Sequence, residues 1–321
     1  MNLVELTSNL TPTPAAYLKA ARAINATPGD ELRPVKVGLL STFTAEFLRP
    51  YLTVTGAQRG FHLQSWFAPW GQLEQQVAAG GSELYAQQPE VIVILTRLEE
   101  LLPSVSGRFL LEGESERRAG IDEVRIRLMR LVAALRTNTA CLVFLSNFLP
   151  PHRPAAGLAD AALTYSEATW AADCNAAVAE VCRSQPGTYL FDLARIAIDH
   201  GLRSWVDPKL FHLARVPMSV TAQIATAHGL SRTLRAALVP PAKVLVLDLD
   251  NTLWGGVLGE DGIGGIGLGD EYPGNVFKAF HRYLLTLKDR GVLLAVATKN
   301  NPADVQEVWE RHPDCILKLE D

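Results

Sequence analysis

The sequence predicts an α/β fold in two domains, and three observations carry that expectation. Short apolar runs rich in β-branched residues, VKVGLL at 35–40, VIVILT at 91–96 and CLVFLSN at 141–147, alternate with stretches of helical periodicity. That alternation is the pattern of a mostly parallel sheet covered by helices. The length of 321 residues matches two domains at roughly 150 residues each. Within RTLRAALVPPAK at 232–243 a Pro-Pro pair stands before a second strongly apolar run, which places the boundary there.

Taken in order, TPAAYLKAARAINA at 13–26 has Thr13 as a cap, Pro14 at the first helical position and apolar residues at helical spacing. VKVGLL reads as the first strand. The helical stretch AEFLRPYLTVTGAQRG at 45–60 contains Pro50, which is expected to break or kink it. FHLQSWFAPWG at 61–71, VIVILT, CLVFLSN and TYLFDL at 188–193 supply further strands, with helices near 122–136 and 166–183. SGRFLLEGESERRAGIDE at 106–123 is dense in charge and predicts a solvated loop or an early helix start. Past the boundary, VLVL at 244–247 reads as a strand buried on both faces, GVLLAVAT at 291–298 as a second strand and CILKLED at 315–321 as a third.

Apolar residues make up 48% and charged residues 20%, a globular composition that excludes wholesale disorder, collagen and a coiled-coil rod. Thirty Lys and Arg against 34 Asp and Glu leave a net charge of −4, with no general attraction for phosphate backbones or anionic lipid. Nucleic acid and membrane are therefore not expected as partners. The opening residues lack a basic segment followed by an apolar core, and no apolar run reaches about 18 residues, so a cytoplasmic protein is expected. Cys141, Cys174, Cys182 and Cys315 form no CxxC pair, which predicts reduced and mostly buried thiols.

The chemistry concentrates in VLVLDLDNTLWGGVLGEDG at 244–262, where an apolar strand delivers Asp248, Asp250 and Thr252 at its carboxyl end. That end is where open α/β sheets bind ligands. Residues two apart on an extended strand point the same way, so one carboxylate can attack phosphorus while its neighbour serves the leaving group. The second strand ends in Thr298 and Lys299, and Asn300 or Asn301 can cap a helix led by Pro302. The residues separating Asp248 from Thr298 suffice for the helix of a right-handed crossover, which makes the two strands parallel neighbours. The glycine-rich stretch from Gly255 to Gly274 departs from GxGxxG and predicts a flap over the site, with Trp254 and Tyr272 as packing aromatics or substrate contacts.

The run DLDNTLWGGV resembles the FkbH-like branch of the haloacid dehalogenase (HAD) superfamily. By that resemblance Asp248 is the nucleophile and Asp250 the general acid and base. Mg²⁺ would be bound by the Asp248 carboxylate and the Asp250 carbonyl, and Thr298, Lys299, Asn251 and Thr252 would contact phosphate. FkbH-like proteins load a glyceryl unit from 1,3-bisphosphoglycerate onto an acyl carrier protein and remove the phosphate, supplying polyketide assembly. Glyceryl-transferring members have a cysteine before the hydroxyl residue of the second motif; here that position is Ala297, which rules out a thioester relay at that point. Direct transfer to the carrier thiol and simple phosphatase action both stay open.

The resemblance also implies a helical segment at 1–30, an SGNH-hydrolase-like, flavodoxin-like three-layer domain at 31–238, and the first part of a HAD-like Rossmannoid domain at 239–321. The lysine and further acidic pair of HAD catalysis are not in this sequence. The domain is accordingly expected to be cut short, binding metal weakly and turning over poorly. In the first domain the resemblance gives a second candidate site, with Ser41 as nucleophile and Gly71 and Asn147 as oxyanion donors. Its base would be His212 with Asp207, or His200 beside Asp199. LLSTFT replaces the usual Gly-Asp-Ser and DPKLFH departs from DxxH. The alternatives are a working esterase or acyltransferase with an inactive HAD appendage, or a noncatalytic module that docks a carrier protein.

Overall fold

The computed structural model describes residues 7, 10–26 and 31–321. The chain divides into two compact units, one ending at Leu238 and the other beginning at Val239.

In the first unit, helix α1 (Pro14–Ala26) buries Tyr17, Ala20, Ala21 and Ile24, one stripe at helical spacing. Strand β1 (Arg33–Ser41) leads to helix α2 (Arg49–Ala57), and β2 (Phe61–Phe67), β3 (Val91–Leu95), β4 (Leu142–Ser146) and β5 (Thr188–Phe191) follow. The five strands form one parallel sheet in the order β2-β1-β3-β4-β5, with Val37 opposite Val91 and Val91 opposite Leu142. This is the expected α/β architecture with flavodoxin-like strand order, and its topological switch lies between β1 and β3.

The core explains the sequence of β3. Ile92 and Ile94 join a cluster with Val124, Leu128 and Val132 of α3 (Glu114–Asn138) and Trp170 and Val178 of α4 (Glu167–Ser184). Val91 and Val93, one residue over, turn to the other face and are equally buried. Three more helices are used below, with short turns between them: α5 (Leu193–His200), α6 (Pro208–Ala214) and α7 (Val220–Leu238). Helices α2 and α7 are joined by buried hydroxyls, Thr55 Oγ1 lying 2.8 Å from Ser231 Oγ.

Pro50 does not break its helix. It lies in the first turn of α2, after a 3-10 turn at Glu46–Leu48, where a missing N–H leaves no helix bond unmade. The charged stretch at 106–123 divides at Glu114, where α3 begins. The four cysteines are free, and burial pushes the Cys174 thiol up to about 12 and Cys182 to about 11. Among the described residues no helix is long and apolar enough to cross a membrane.

In the second unit, β6 (Val244–Leu247) pairs in parallel with β7 (Leu293–Val296), Val244 opposite Leu293 and Leu247 opposite Val296. Between them run α8 (Leu258–Asp261) and α9 (Gly274–Asp289), and α10 (Pro302–Arg311) follows. Leu247, Leu249, Trp254, Leu284, Val308 and Leu317 form the core.

Two expectations are corrected here. Strand β6 is not buried on both faces: Val244 and Val246 are 48% and 60% exposed, as is Leu293 of β7 at 65%, because helices cover only the side that carries Leu247. CILKLED is not a strand either. Lys278 of α9 holds Asp314 at 2.6 Å, Lys288 holds Asp321 at 2.6 Å, and Asp321 Oδ2 accepts from the Lys318 N–H at 2.7 Å. Those bonds fold the segment into a turn, while Cys315 and Leu317 plug the core.

Candidate active site

Both strands of the second unit end at one edge, and the acidic motif begins where β6 stops. Leu247 and Leu249 are buried and anchor the chain on either side of Asp248, leaving that residue exposed. The Leu253 and Thr252 N–H groups both reach back to the Leu249 carbonyl, so the strand passes straight into a tight turn. Asn251 takes the left-handed φ of 55° that asparagine tolerates, and its Oδ1 accepts from the Gly256 N–H at 3.0 Å.

Asp250 is clamped. Its Oδ1 accepts from Trp254 Nε1 and from the Leu258 N–H, both at 3.0 Å, and its Oδ2 accepts from Asn300 Nδ2 at 2.9 Å. Burial by itself would raise the carboxyl pKa, but the three donors, Leu258, Asn300 and Trp254, outweigh it and hold Asp250 below the usual carboxylate range. Asp248 differs: its Oδ1 accepts only from the Leu249 N–H at 2.8 Å, and its second oxygen has no partner among the described residues.

Thr298 joins this group through Asn300. Its Oγ1 accepts from both the backbone and the side-chain nitrogen of Asn300 at 3.2 Å, so its own proton is left to donate outward. The structure thus brings Asp250 and Thr298 together across two strands, with Asp248, Asn251 and Thr252 on the adjoining strand end and turn. Lys299 is exposed, without a bond to a described residue. Asn300 is the residue that sequence reasoning missed as part of the site: its capping preference was visible, but its bond to Asp250 depends on the pairing of β6 with β7.

The flap is anchored at its base. Gly255 and Gly267 exchange N–H···O bonds of 3.1 and 2.7 Å, and a Cβ on Gly267 would lie 3.3 Å from the Gly255 Cα, a close backbone approach that favours glycine there. Trp254 is fully buried and belongs to the clamp, whereas Tyr272 is exposed.

Among the described residues no group of three His, Cys, Asp or Glu could hold a metal ion. The Asp248 carboxylate and Asp250 carbonyl are hard oxygen donors, suited to Mg²⁺ that keeps several waters and shares its coordination with phosphate.

The residues of the second candidate site are dispersed. Ser41 Oγ donates to the Phe43 carbonyl at 2.5 Å. Ser41 and Gly71, the latter at φ 77°, line a cleft of about 410 Å³ with Glu100 and Arg127. His212 lines a different cavity of about 210 Å³. Asn147 lines neither cleft and is committed at both ends, Nδ2 donating to Asp192 Oδ1 at 2.6 Å and Oδ1 accepting from the Ala194 N–H at 2.8 Å. Asp207 caps α6 through the Leu210 N–H at 3.0 Å, and His200 lies 3.2 Å from Thr221 Oγ1. No described histidine bonds Ser41.

The family model for the FkbH N-terminal domain matches residues 36–229. The chain belongs to the FkbH family. It is also similar to the crystal structure of the N-terminal part of protein BF1531 from Bacteroides fragilis, which contains a phosphatase domain and was complexed with Mg. The two are 26% identical with a TM-score of 0.77, over 95% of this chain and 79% of that one. The salicylyl-acyltransferase SsfX3 of a tetracycline biosynthetic pathway is 15% identical, with a TM-score of 0.37 over 66% of this chain and 57% of its own. The lipase Lip_vut3 from a goat rumen metagenome is 14% identical, with a TM-score of 0.44 over 62% and 96%. These last two are too distant to bear on this FkbH-family chain. No curated protein matches it.

Proposed function

We propose that this FkbH-family chain performs Mg²⁺-dependent phosphoryl chemistry at the end of β6. Its donor would be a phosphorylated glyceryl compound such as 1,3-bisphosphoglycerate, and the glyceryl unit would pass to an acyl carrier protein and lose its phosphate. The observation that carries the reading is the contrast between the two acids. Asp248 is exposed with a carboxylate oxygen unengaged, while Asp250 is fixed by three donors beside it. A nucleophile needs the first condition, and a proton carrier that must be held in place needs the second.

Ala297 leaves no thiol for a protein-bound thioester, so the carrier thiol attacks the acyl carbon directly. A C–S bond forms, the bond to the acyl phosphate oxygen breaks, and phosphate leaves. Asp250 would accept the thiol proton. The Asp248 carboxylate then attacks the remaining phosphoryl group. The P–O bond to the glyceryl oxygen breaks, and that oxygen takes the proton Asp250 has acquired. Water gives a proton to Asp250 and attacks phosphorus, the P–O bond to Asp248 breaks, and the departing phosphate takes the proton from Asp250. Thr298 donates its hydroxyl proton to a phosphoryl oxygen. Mg²⁺, held by the Asp248 carboxylate and Asp250 carbonyl, would screen the charge between carboxylate and phosphate.

The test is phosphate release from 3-phosphoglyceryl thioesters with Mg²⁺ present. Asp248→Asn should lower it by at least about a hundredfold, since a neutral amide does not attack phosphorus, while the melting temperature is kept. Turnover near that of the unmodified chain would remove Asp248 from the mechanism.

A further inference from the structure

The first unit carries a cavity that the phosphoryl site does not use. It lies at the carboxyl edge of the sheet, among residues following β3, β4 and β5, and has a volume of about 210 Å³. Its walls are apolar and fixed: Phe148, Trp205 and Met218 are all almost fully buried, and Pro150 and Pro151 stiffen the loop after β4. The segment forming its outer wall is tied down by the Ser219 N–H to the Trp205 carbonyl at 2.8 Å and the bridge between Val206 and Met218. His152 and His212 line it as well, and neither bonds a described residue through its ring nitrogens.

The acidic and basic side chains in the wall of this cavity are already matched. Arg97 lies over the Phe211 ring at 4.6 Å and Arg215 over the same ring at 5.5 Å. Arg97 pairs with Glu99 at 3.2 Å and with Glu100 at 3.4 Å. Arg97 and Glu99 line this cavity and pair with each other, while Arg215 and Glu100 line the neighbouring cleft, so no guanidinium in the cavity wall is left over to receive an anion. A carboxylate entering here would lose hydration without gaining a partner.

We propose that this cavity binds the acyl portion of an uncharged acyl ester, thioester or amide. The acyl chain would lie against Trp205 and Met218, and the carbonyl would accept from a histidine N–H at the mouth. An enclosed apolar cavity of about 150 Å³ suffices for a benzene-sized guest, so the space here sets the chain at about six to eight carbons. The inference concerns a different unit from the phosphoryl site and stands or falls separately from it.

The experiment is a calorimetric titration of the whole chain with octanamide, butyramide and octanoate. The chain contains three methionines, so methyl-labelled methionine gives a simple spectrum in which Met218 reports on its own cavity. Octanamide should bind saturably and move the Met218 methyl resonance. Each buried methylene contributes about fourfold, so butyramide should bind at least about tenfold more weakly. Octanoate should also bind at least about tenfold more weakly than octanamide, for want of a free cation. Leu202→Trp and Val206→Trp, which fill the cavity, should abolish binding in any variant that keeps its melting temperature. An absence of saturable octanamide binding, an unmoved Met218 methyl, or octanoate binding as tightly as the amide would each overturn the proposal.

Discussion

Replacing Trp254 by phenylalanine removes one donor from the Asp250 clamp while keeping an aromatic ring in the core. Trp254 is fully buried, and its Nε1–H donates to Asp250 Oδ1 at 3.0 Å. A hydrogen bond to a charged acceptor contributes about 1.5–3 kcal/mol, and trimming the indole to a phenyl ring leaves a small void that adds to the loss. The second unit should therefore lose about 3 kcal/mol. In a domain of fewer than 100 residues that corresponds to a fall of roughly 12–24 °C in melting temperature. The assay is thermal and urea unfolding of the whole chain, with the transition of the second unit followed separately from that of the first. Asn300→Ala serves as the comparison: its site is half-buried, water can replace the donor, and the loss should stay near about 1 kcal/mol. Both substitutions should also move the acid limb of the pH–rate profile to higher pH, because Asp250 loses a donor that favours its anion. A Trp254→Phe protein within about 0.5 kcal/mol of the parent would refute the clamp as a source of stability.

Two further predictions concern the second unit and one the first. His281 is buried with Nε2 on the Leu253 carbonyl at 2.8 Å and Nδ1 without a partner among the described residues; burial lowers its pKa, and the Leu253 bond only partly restores it. The unfolded chain binds the extra proton below about pH 6.5, so stability should fall as pH drops from there, and His281→Gln should flatten that slope in unfolding titrations. Leu249→Ala, at a fully buried position, should cost about 2–5 kcal/mol, whereas Val246→Thr on the bare face should cost less than about 0.5 kcal/mol by the same denaturation. Cys174, buried with its thiol pushed up to about 12, should resist iodoacetamide at pH 8 in the folded chain and react once urea unfolds it.

The sheet of the first unit was legible because β3 and β4 are continuous apolar runs of strand length and the segments between them have helical period. Pro50 misled because proline marks a helix start as readily as a helix break, and its neighbours decide which. The exposure of Val244 and Val246 was hidden for a related reason: an apolar strand reports its own preference for burial, not how many layers cover it. CILKLED has a strand's alternation, but two lysine–aspartate pairs hold it as a turn. At the site, Asp248, Asp250 and Thr298 could be read from strand ends alone. The donors from Trp254, Leu258 and Asn300 could not, since each depends on where the turn and the neighbouring strand bring it.

The central claim is that the Asp248 carboxylate attacks phosphorus, and trapping the product tests it most directly. The chain would be incubated with Mg²⁺ and a radiolabelled phosphoryl donor, quenched in acid and digested for mass mapping. The account predicts a label that hydroxylamine removes, located on the peptide containing Asp248 and missing from Asp248→Asn. A label at another residue, or one that persists in Asp248→Asn, would contradict it.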